Sequence, residues 1–134
     1  MTARIASCSC GQLRVTCVGE PVRVSICHCL ECQKRTGSVF AVQARFPSDA
    51  VTIEGEATLW SRSGDSGGPP ATFKICPTCG STVCWETPAI AGFVTVAVGA
   101  FADPTFPPPH VSVYEERAHP WALALNELPL ERHF

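Results

Sequence analysis

Charge is the first thing this 134-residue chain lacks: 16% of its residues are Asp, Glu, Lys or Arg, and the net charge is −2. That balance argues against a charge-driven grip on nucleic acid or on an acidic membrane. Long apolar runs are missing as well. The longest stretch without a charged residue, Thr87 to Ala102, is shorter than the roughly 20 residues of a membrane helix and contains Gly92 and Gly99. The opening MTARIASCSCG holds no apolar segment of the secretory-signal kind, so the expected compartment is the cytoplasm. No internal repeat is visible, which sets aside solenoids and propellers. Helical periodicity is scarce. What remains, at 46% hydrophobic residues, can bury a core, and one domain over residues 1–134 is expected.

Cysteine is the one residue present in excess. The nine stand at positions 8, 10, 17, 27, 29, 32, 76, 79 and 84. An odd number fits a disulfide framework poorly, and cytosolic thiols stay reduced. Seven of them form tight groups, Cys8-x-Cys10, Cys27-x-Cys29-x-x-Cys32 and Cys76-x-x-Cys79, while Cys17 and Cys84 stand alone. Zinc takes thiolates in a tetrahedron at about 2.3 Å, so short chelating pairs drawn from distant segments are what a site requires. In Cys76-Pro77-Thr78-Cys79-Gly80, proline presets a turn and Gly80 allows the left-handed conformation that curls the chain under a metal. No βαβ pattern surrounds this pair, which disfavours a redox role.

Seven thiolates divide most simply as four plus three. Four close a structural site; three leave a coordination position open, as catalytic sites do. Cys27, Cys29 and Cys32 are compact enough to share one metal, leaving Cys8, Cys10, Cys76 and Cys79 for another. A zinc ribbon of Cys29, Cys32, Cys76 and Cys79 is the competing division, and spacing alone does not decide between them. Charge is unevenly spread: through Arg45 there are six basic and two acidic residues, against four and ten in the remainder. Lys34 and Arg35 directly follow Cys32, where they can offset thiolate charge, face water or meet an anionic small molecule.

Strand-like alternation dominates the rest. Leu13, Val15 and Cys17 share one face, and Val22, Val24 and Ile26 alternate with Arg23 and Ser25 into Cys27. Further strands are expected over Val39–Arg45, Val51–Glu54, Ala57–Ser61, Ala71–Ile75, Thr82–Glu86, Phe93–Val98 and His110–Tyr114. Helix is expected over Leu30–Thr36, ended by Gly37, and over Trp121–Asn126 after Pro120. Ser61–Pro70 has the composition of a hairpin-tip loop, and Asp103–Pro109 that of a stiff crossover. The expected fold is mainly β, a small single-domain antiparallel sheet with little helix, in which bound metal supplies part of the folding free energy. Cys17 and Cys84 are expected to be small buried hydrophobes, His110 a structural histidine, and Trp60, Trp85 and Trp121 core or loop anchors.

The three cysteine motifs, in this order and at these separations, carry a family resemblance. It runs from Cys8-Ser9-Cys10-Gly11 through Cys27-His28-Cys29-Leu30-Glu31-Cys32-Gln33-Lys34, with Gly37 and Phe40. It continues through Cys76-Pro77-Thr78-Cys79-Gly80-Ser81, Val98-Gly99 and Asp103-Pro104, to Pro109-His110 and Trp121. On these residues the chain resembles the glutathione-dependent formaldehyde-activating enzyme family, which also includes centromere protein V. The resemblance implies a β-rich zinc fold with two zincs per chain. Cys8, Cys10, Cys76 and Cys79 would hold the structural zinc, and Cys27, Cys29 and Cys32 the zinc considered catalytic. One departure stands beside the knuckle, where Phe73 is followed by Lys74 and Ile75 instead of an aromatic meeting the first cysteine.

The reaction so implied joins glutathione and formaldehyde, formally a carbon–sulfur lyase in reverse. A thiol entering the open position would become a thiolate, and its attack on a carbonyl would create an alkoxide needing a proton or a donor. Lys34, His28 and Glu31 are the candidates nearest in sequence. A small thiol such as glutathione is the expected partner. The alternative is a non-catalytic zinc module for a protein partner, its fourth position filled, with His28 as the donor at hand. A metal-buffering or redox-responsive protein is the third reading.

Overall fold

The computed structural model describes residues Met1–Phe134. Ten strands follow in chain order: β1 (Ala3–Ser7), β2 (Arg14–Val18), β3 (Arg23–Cys27), β4 (Ala41–Pro47), β5 (Val51–Glu54), β6 (Thr58–Gly64), β7 (Gly67–Ile75), β8 (Thr82–Glu86), β9 (Phe93–Ala97) and β10 (Val111–Val113). The α-helix α1 (Leu30–Thr36) enters between β3 and β4, and the remaining helical pieces are 3-10 turns. A three-stranded sheet runs β1-β2-β5; a seven-stranded sheet runs β10-β3-β4-β9-β8-β7-β6. The protein is mainly β, as its alternation predicts.

The seven-stranded sheet has two faces of different character. Val24, Ala44, Phe46, Val94 and Val96 cluster with Leu13, Val15 and Cys17 of the smaller sheet, and this is the main core. The Leu13, Val15 and Cys17 side read from the sequence is fully buried. Cys17 and Cys84 sit in the same core, where burial pushes their thiols up to about 11 and about 12. Both therefore stay neutral and unreactive at physiological pH.

Four elements differ from the sequence expectations. β1 was absent from them; it pairs with β2 over its full length, yet buries only Ala6 and so shows no apolar stripe. The Ser61–Pro70 loop is mostly strand, because pairing of β6 with β7 persists to Gly64↔Gly67 and leaves only Asp65 and Ser66 at the tip. Pro69 and Pro70 are tolerated there because they fall in the register break of the β6–β7 ladder, between Arg62↔Ala71 and Gly64↔Gly67, and β8 pairs with β7 only from Thr72. One pair departs from the antiparallel pattern: β10 runs parallel to β3, Val111 beside Ser25 and Val113 beside Cys27, after the proline-rich crossover. Finally, the helix expected over Trp121–Asn126 is two 3-10 turns, Pro120–Leu123 and Leu125–Glu127.

Candidate metal centres and the adjoining cavity

The turn between β1 and β2 carries Cys8 and Cys10, and the turn between β7 and β8 carries Cys76 and Cys79. The two hairpin turns belong to different sheets and meet. All four sulfurs lie within 4.8 Å of one another. Cys10 Sγ stands 3.6 Å from both Cys8 Sγ and Cys76 Sγ, against about 3.8 Å for the edge of a tetrahedron with 2.3 Å zinc–sulfur bonds. The donor set thus fits a closed four-thiolate metal site.

Amide donors converge on the sulfurs. Leu13 N–H donates to Cys8 Sγ at 3.3 Å, and Thr78 N–H and Cys79 N–H donate to Cys76 Sγ at 3.4 and 3.5 Å. Gly80 has the left-handed φ of 80° that the knuckle requires, and its N–H donates to Cys76 O. Ser81 Oγ meets Ser9 Oγ at 3.0 Å, tying one turn to the other. The Ser81 hydroxyl, with backbone donors behind it, also holds the Cys79 thiol down to about 5.

Gln12 locks this centre from the side. Its Nε2 donates to Cys76 Sγ at 3.0 Å and to Glu56 O at 2.8 Å, while its Oε1 accepts from Glu56 N at 2.9 Å. Glu56 can come so close because Gly55, at φ 101°, presents no Cβ; one placed there would collide with the Gln12 carbonyl. Gly55→Ala is expected to cost about 2–4 kcal/mol through backbone strain and overpacking. A thermal melt should read this as a drop of roughly 10 °C.

Cys27, Cys29 and Cys32 form the second group, buried, with sulfurs again within 4.8 Å of one another. Cys27 is the last residue of β3, Cys29 is the N-cap of α1 and Cys32 lies in its first turn. Cys29 Sγ accepts from Cys32 N at 3.3 Å, which satisfies a helix-terminal donor. Gly37 stops the helix in the left-handed conformation, as the sequence predicts. The Cys27 thiol, donating to Cys32, brings Cys32 down to about 5 against its burial, helped by Cys29, Arg35 and Arg62. The same hydrogen bond, with burial, pushes Cys27 up, and burial pushes Cys29 up. Arg62 Nη2 lies 3.8 Å from Cys32 Sγ, so a guanidinium stands directly against the cluster.

The three sulfurs face a cavity of about 350 Å³. Its walls include Arg35, Arg62, Phe73, Trp85 and Tyr114. Arg35 stacks on Trp85 at 4.3 Å and on Phe73 at 5.1 Å, and Arg62 lies 4.9 Å from the centre of the Phe73 ring. Trp85, expected as a core anchor, is thus a wall of the cavity. The β6–β7 tip closes one side. Asp65 accepts from Leu30 N and Glu31 N at 2.8 and 3.1 Å and pairs with Arg117 Nε at 3.0 Å, while Ser66 Oγ meets the Tyr114 hydroxyl at 2.8 Å.

Of the other sequence candidates, Lys34, His28 and Glu31, none lines this cavity. Lys34 is exposed and pairs with Glu31 at 2.8 Å, and both face a separate depression. His28 is 1% exposed, with neither ring nitrogen hydrogen-bonded, and its ring packs 6.0 Å from Phe40. It is outside the group of mutually close sulfurs. Sequence reasoning missed Arg62, which reaches Cys32 from thirty residues away on a different strand. Arg35 was legible only as a basic neighbour. A second cavity, of about 460 Å³, adjoins Cys8, but no charged side chain lines it.

Comparison with known proteins agrees with this geometry. A crystal structure of a Rhodobacter sphaeroides protein aligns with a TM-score of 0.53 at 18% identity, covering 72% of this chain and 85% of that one. At that identity the likeness shows the fold. A search of curated proteins returned no match. The profile of the glutathione-dependent formaldehyde-activating enzymes matches residues 3–117, which include both cysteine groups and every wall of the cavity. The chain belongs to the glutathione-dependent formaldehyde-activating enzyme family.

Proposed function

We infer that the protein is a carbon–sulfur lyase-type enzyme with two zincs per chain, acting on the adduct of glutathione and formaldehyde or a related thiol–aldehyde adduct. In this reading Cys8, Cys10, Cys76 and Cys79 hold a structural zinc, and Cys27, Cys29 and Cys32 the catalytic one. The observation that carries it is a buried three-thiol cluster opening on a cavity, with no fourth protein donor at ligand distance. A closed zinc module would need that donor, and His28 does not supply it. Nine free cysteines also fit a reducing compartment such as the cytoplasm.

A zinc held by Cys27, Cys29 and Cys32 would supply the positive charge that favours the thiolate form of an incoming thiol. The chain's own residues do the rest. When thiol sulfur adds to the carbonyl carbon, a C–S bond forms and the C=O π pair moves to oxygen. Arg62 and Arg35 stabilise that oxygen, because their guanidinium groups are held against the cluster by Cys32 and by the aromatic wall. Tyr114, whose hydroxyl meets Ser66 Oγ, gives the alkoxide its proton, and the proton released by the incoming thiol restores the tyrosine, so none is gained or lost overall. Lys34 and His28 are thereby displaced from the roles their sequence positions suggested. Phe73, Trp85 and Pro69 thin the water around the reacting atoms.

Thiols add to formaldehyde unaided, so the test is a rate and not a yield. Exchange spectroscopy on glutathione and formaldehyde at equilibrium should show adduct exchange rising linearly with protein above the protein-free blank. Exchange at the blank rate would overturn the enzymatic reading.

A further inference from the structure

Cross-strand register places Arg23, Arg45, Thr95, Trp85 and Phe73 in one row across β3, β4, β9, β8 and β7. The row lies on the face of the sheet that also carries Cys27, two side-chain repeats along β3 from Arg23. Two of its members are cations directly opposite each other, an arrangement that repels. Neither Arg23 nor Arg45 takes part in an ion pair. The Nε atoms of both, and Gln43 Oε1 beside them, are buried without a hydrogen-bond partner. A void of about 10 Å³ is enclosed by Arg23, Ser25, Gln43, Arg45 and Thr95. No carboxylate lines either this void or the larger cavity, and Arg45 and Gln43 line both.

Arg35 and Arg62 also leave buried guanidinium nitrogens without a partner, but they have compensation in the thiolates and in the rings on which they stack. Arg23 and Arg45 have neither. Burial and the neighbouring Arg23 already push the Arg45 guanidinium down from its usual range, as uncompensated crowding would. What the constellation lacks is an anion. A planar guanidinium with a free edge, flanked by a carboxamide, matches a carboxylate in shape and in donors. The Cα atoms of Arg23 and Cys27 are about 13 Å apart along the strand. Arg45, Gln43 and the three cysteines line one cavity, so a single small molecule in it can meet a guanidinium at one end and the sulfurs at the other.

We propose that Arg45, backed by Arg23 and Gln43, is a carboxylate-binding subsite that selects small thiols bearing a carboxylate, with their sulfur directed to Cys27, Cys29 and Cys32. The choice of thiol rests on the function inferred above; the anion subsite does not. Like-charge repulsion is then relieved only when substrate is bound, so the cost of the pair is borne by the empty protein.

The test uses the full-length, zinc-loaded protein. By calorimetry, 3-mercaptopropionate should bind at least about tenfold tighter than neutral 3-mercaptopropanol, and Arg45→Gln should bring that ratio near one. Equal binding of the two thiols by the wild type would overturn the proposal. Butyrate, which has no thiol, reads the subsite alone. It should shift the Thr95 amide and Trp85 indole resonances in the wild type and in Cys29→Ser alike, but not in Arg45→Gln. If butyrate acts this way while neither thiol engages the cysteines, the subsite stands and the thiol reading falls. Shifts with inorganic phosphate and none with butyrate would reassign the site to a free anion and overturn it. Arg45→Gln and Arg23→Gln should keep or raise the melting temperature, since each removes a repulsion; a fall in both would make the pair structural and sink the proposal.

Discussion

Cys76→Ser is expected to leave a chain without a cooperative thermal transition. Cys76 is 1% exposed, and its sulfur takes donors from Gln12, Thr78 and Cys79 while standing 3.6 Å from Cys10 Sγ. The cluster joins residues 8–10 to residues 76–79, so one ion would pin the smaller sheet to the larger one. Structural zinc in small domains contributes about 10–16 kcal/mol, and whole domains are stable by only about 5–15 kcal/mol. A serine hydroxyl is a poor zinc ligand at neutral pH, so most of that contribution goes with the sulfur. Circular dichroism against temperature, with zinc counted per chain, checks this; a wild-type melt would refute it. Acid should act in the same direction. Protons compete with a metal for the four sulfurs, so the stability that a bound ion contributes declines as pH falls.

Cys29→Ser should do the opposite, keeping the fold and losing the chemistry. Cys29 caps α1 by accepting from Cys32 N, and a serine Oγ is among the best acceptors for that position. The helix therefore keeps its cap while the second centre loses a ligand. Zinc should fall from two per chain to about one, with a melting temperature within a few degrees of wild type. Adduct exchange should drop at least about 100-fold toward the blank, since the thiol would no longer be activated. One zinc in both proteins would remove the second centre; an unchanged rate would remove its role.

The candidate metal-binding cysteines were legible because chelation favours short spacings. Cys8-x-Cys10, Cys27-x-Cys29-x-x-Cys32 and Cys76-x-x-Cys79 each close locally, and the structure brings them together as four plus three, not as a ribbon. Apolar alternation was equally plain in β2 and β5. It failed where burial is thin, as in β1, which hides only Ala6, and at the β6–β7 tip, whose glycines and prolines resemble a loop but lie on paired strands. The cavity was the least readable part. Arg45, Arg62, Phe73 and Trp85 come from four strands, and only their register puts them on one face. Register is a property of pairs of strands, so no local window of sequence contains it.

The parallel strand β10 also fixes an order of assembly. The Cys27, Cys29 and Cys32 segment leaves the ribosome early, yet its supports are far downstream: His28 N–H donates to Val113 O, Gln33 Nε2 to Arg117 O, and Asp65 pairs with Arg117. The other group of four cysteines is complete once Cys79 has emerged. During vectorial synthesis its sulfurs can thus come together while the second group is still half-walled. Synthesis order and completion order are inverted: the cavity beside Cys27, Cys29 and Cys32 receives its last wall, Tyr114, well after the first group is whole.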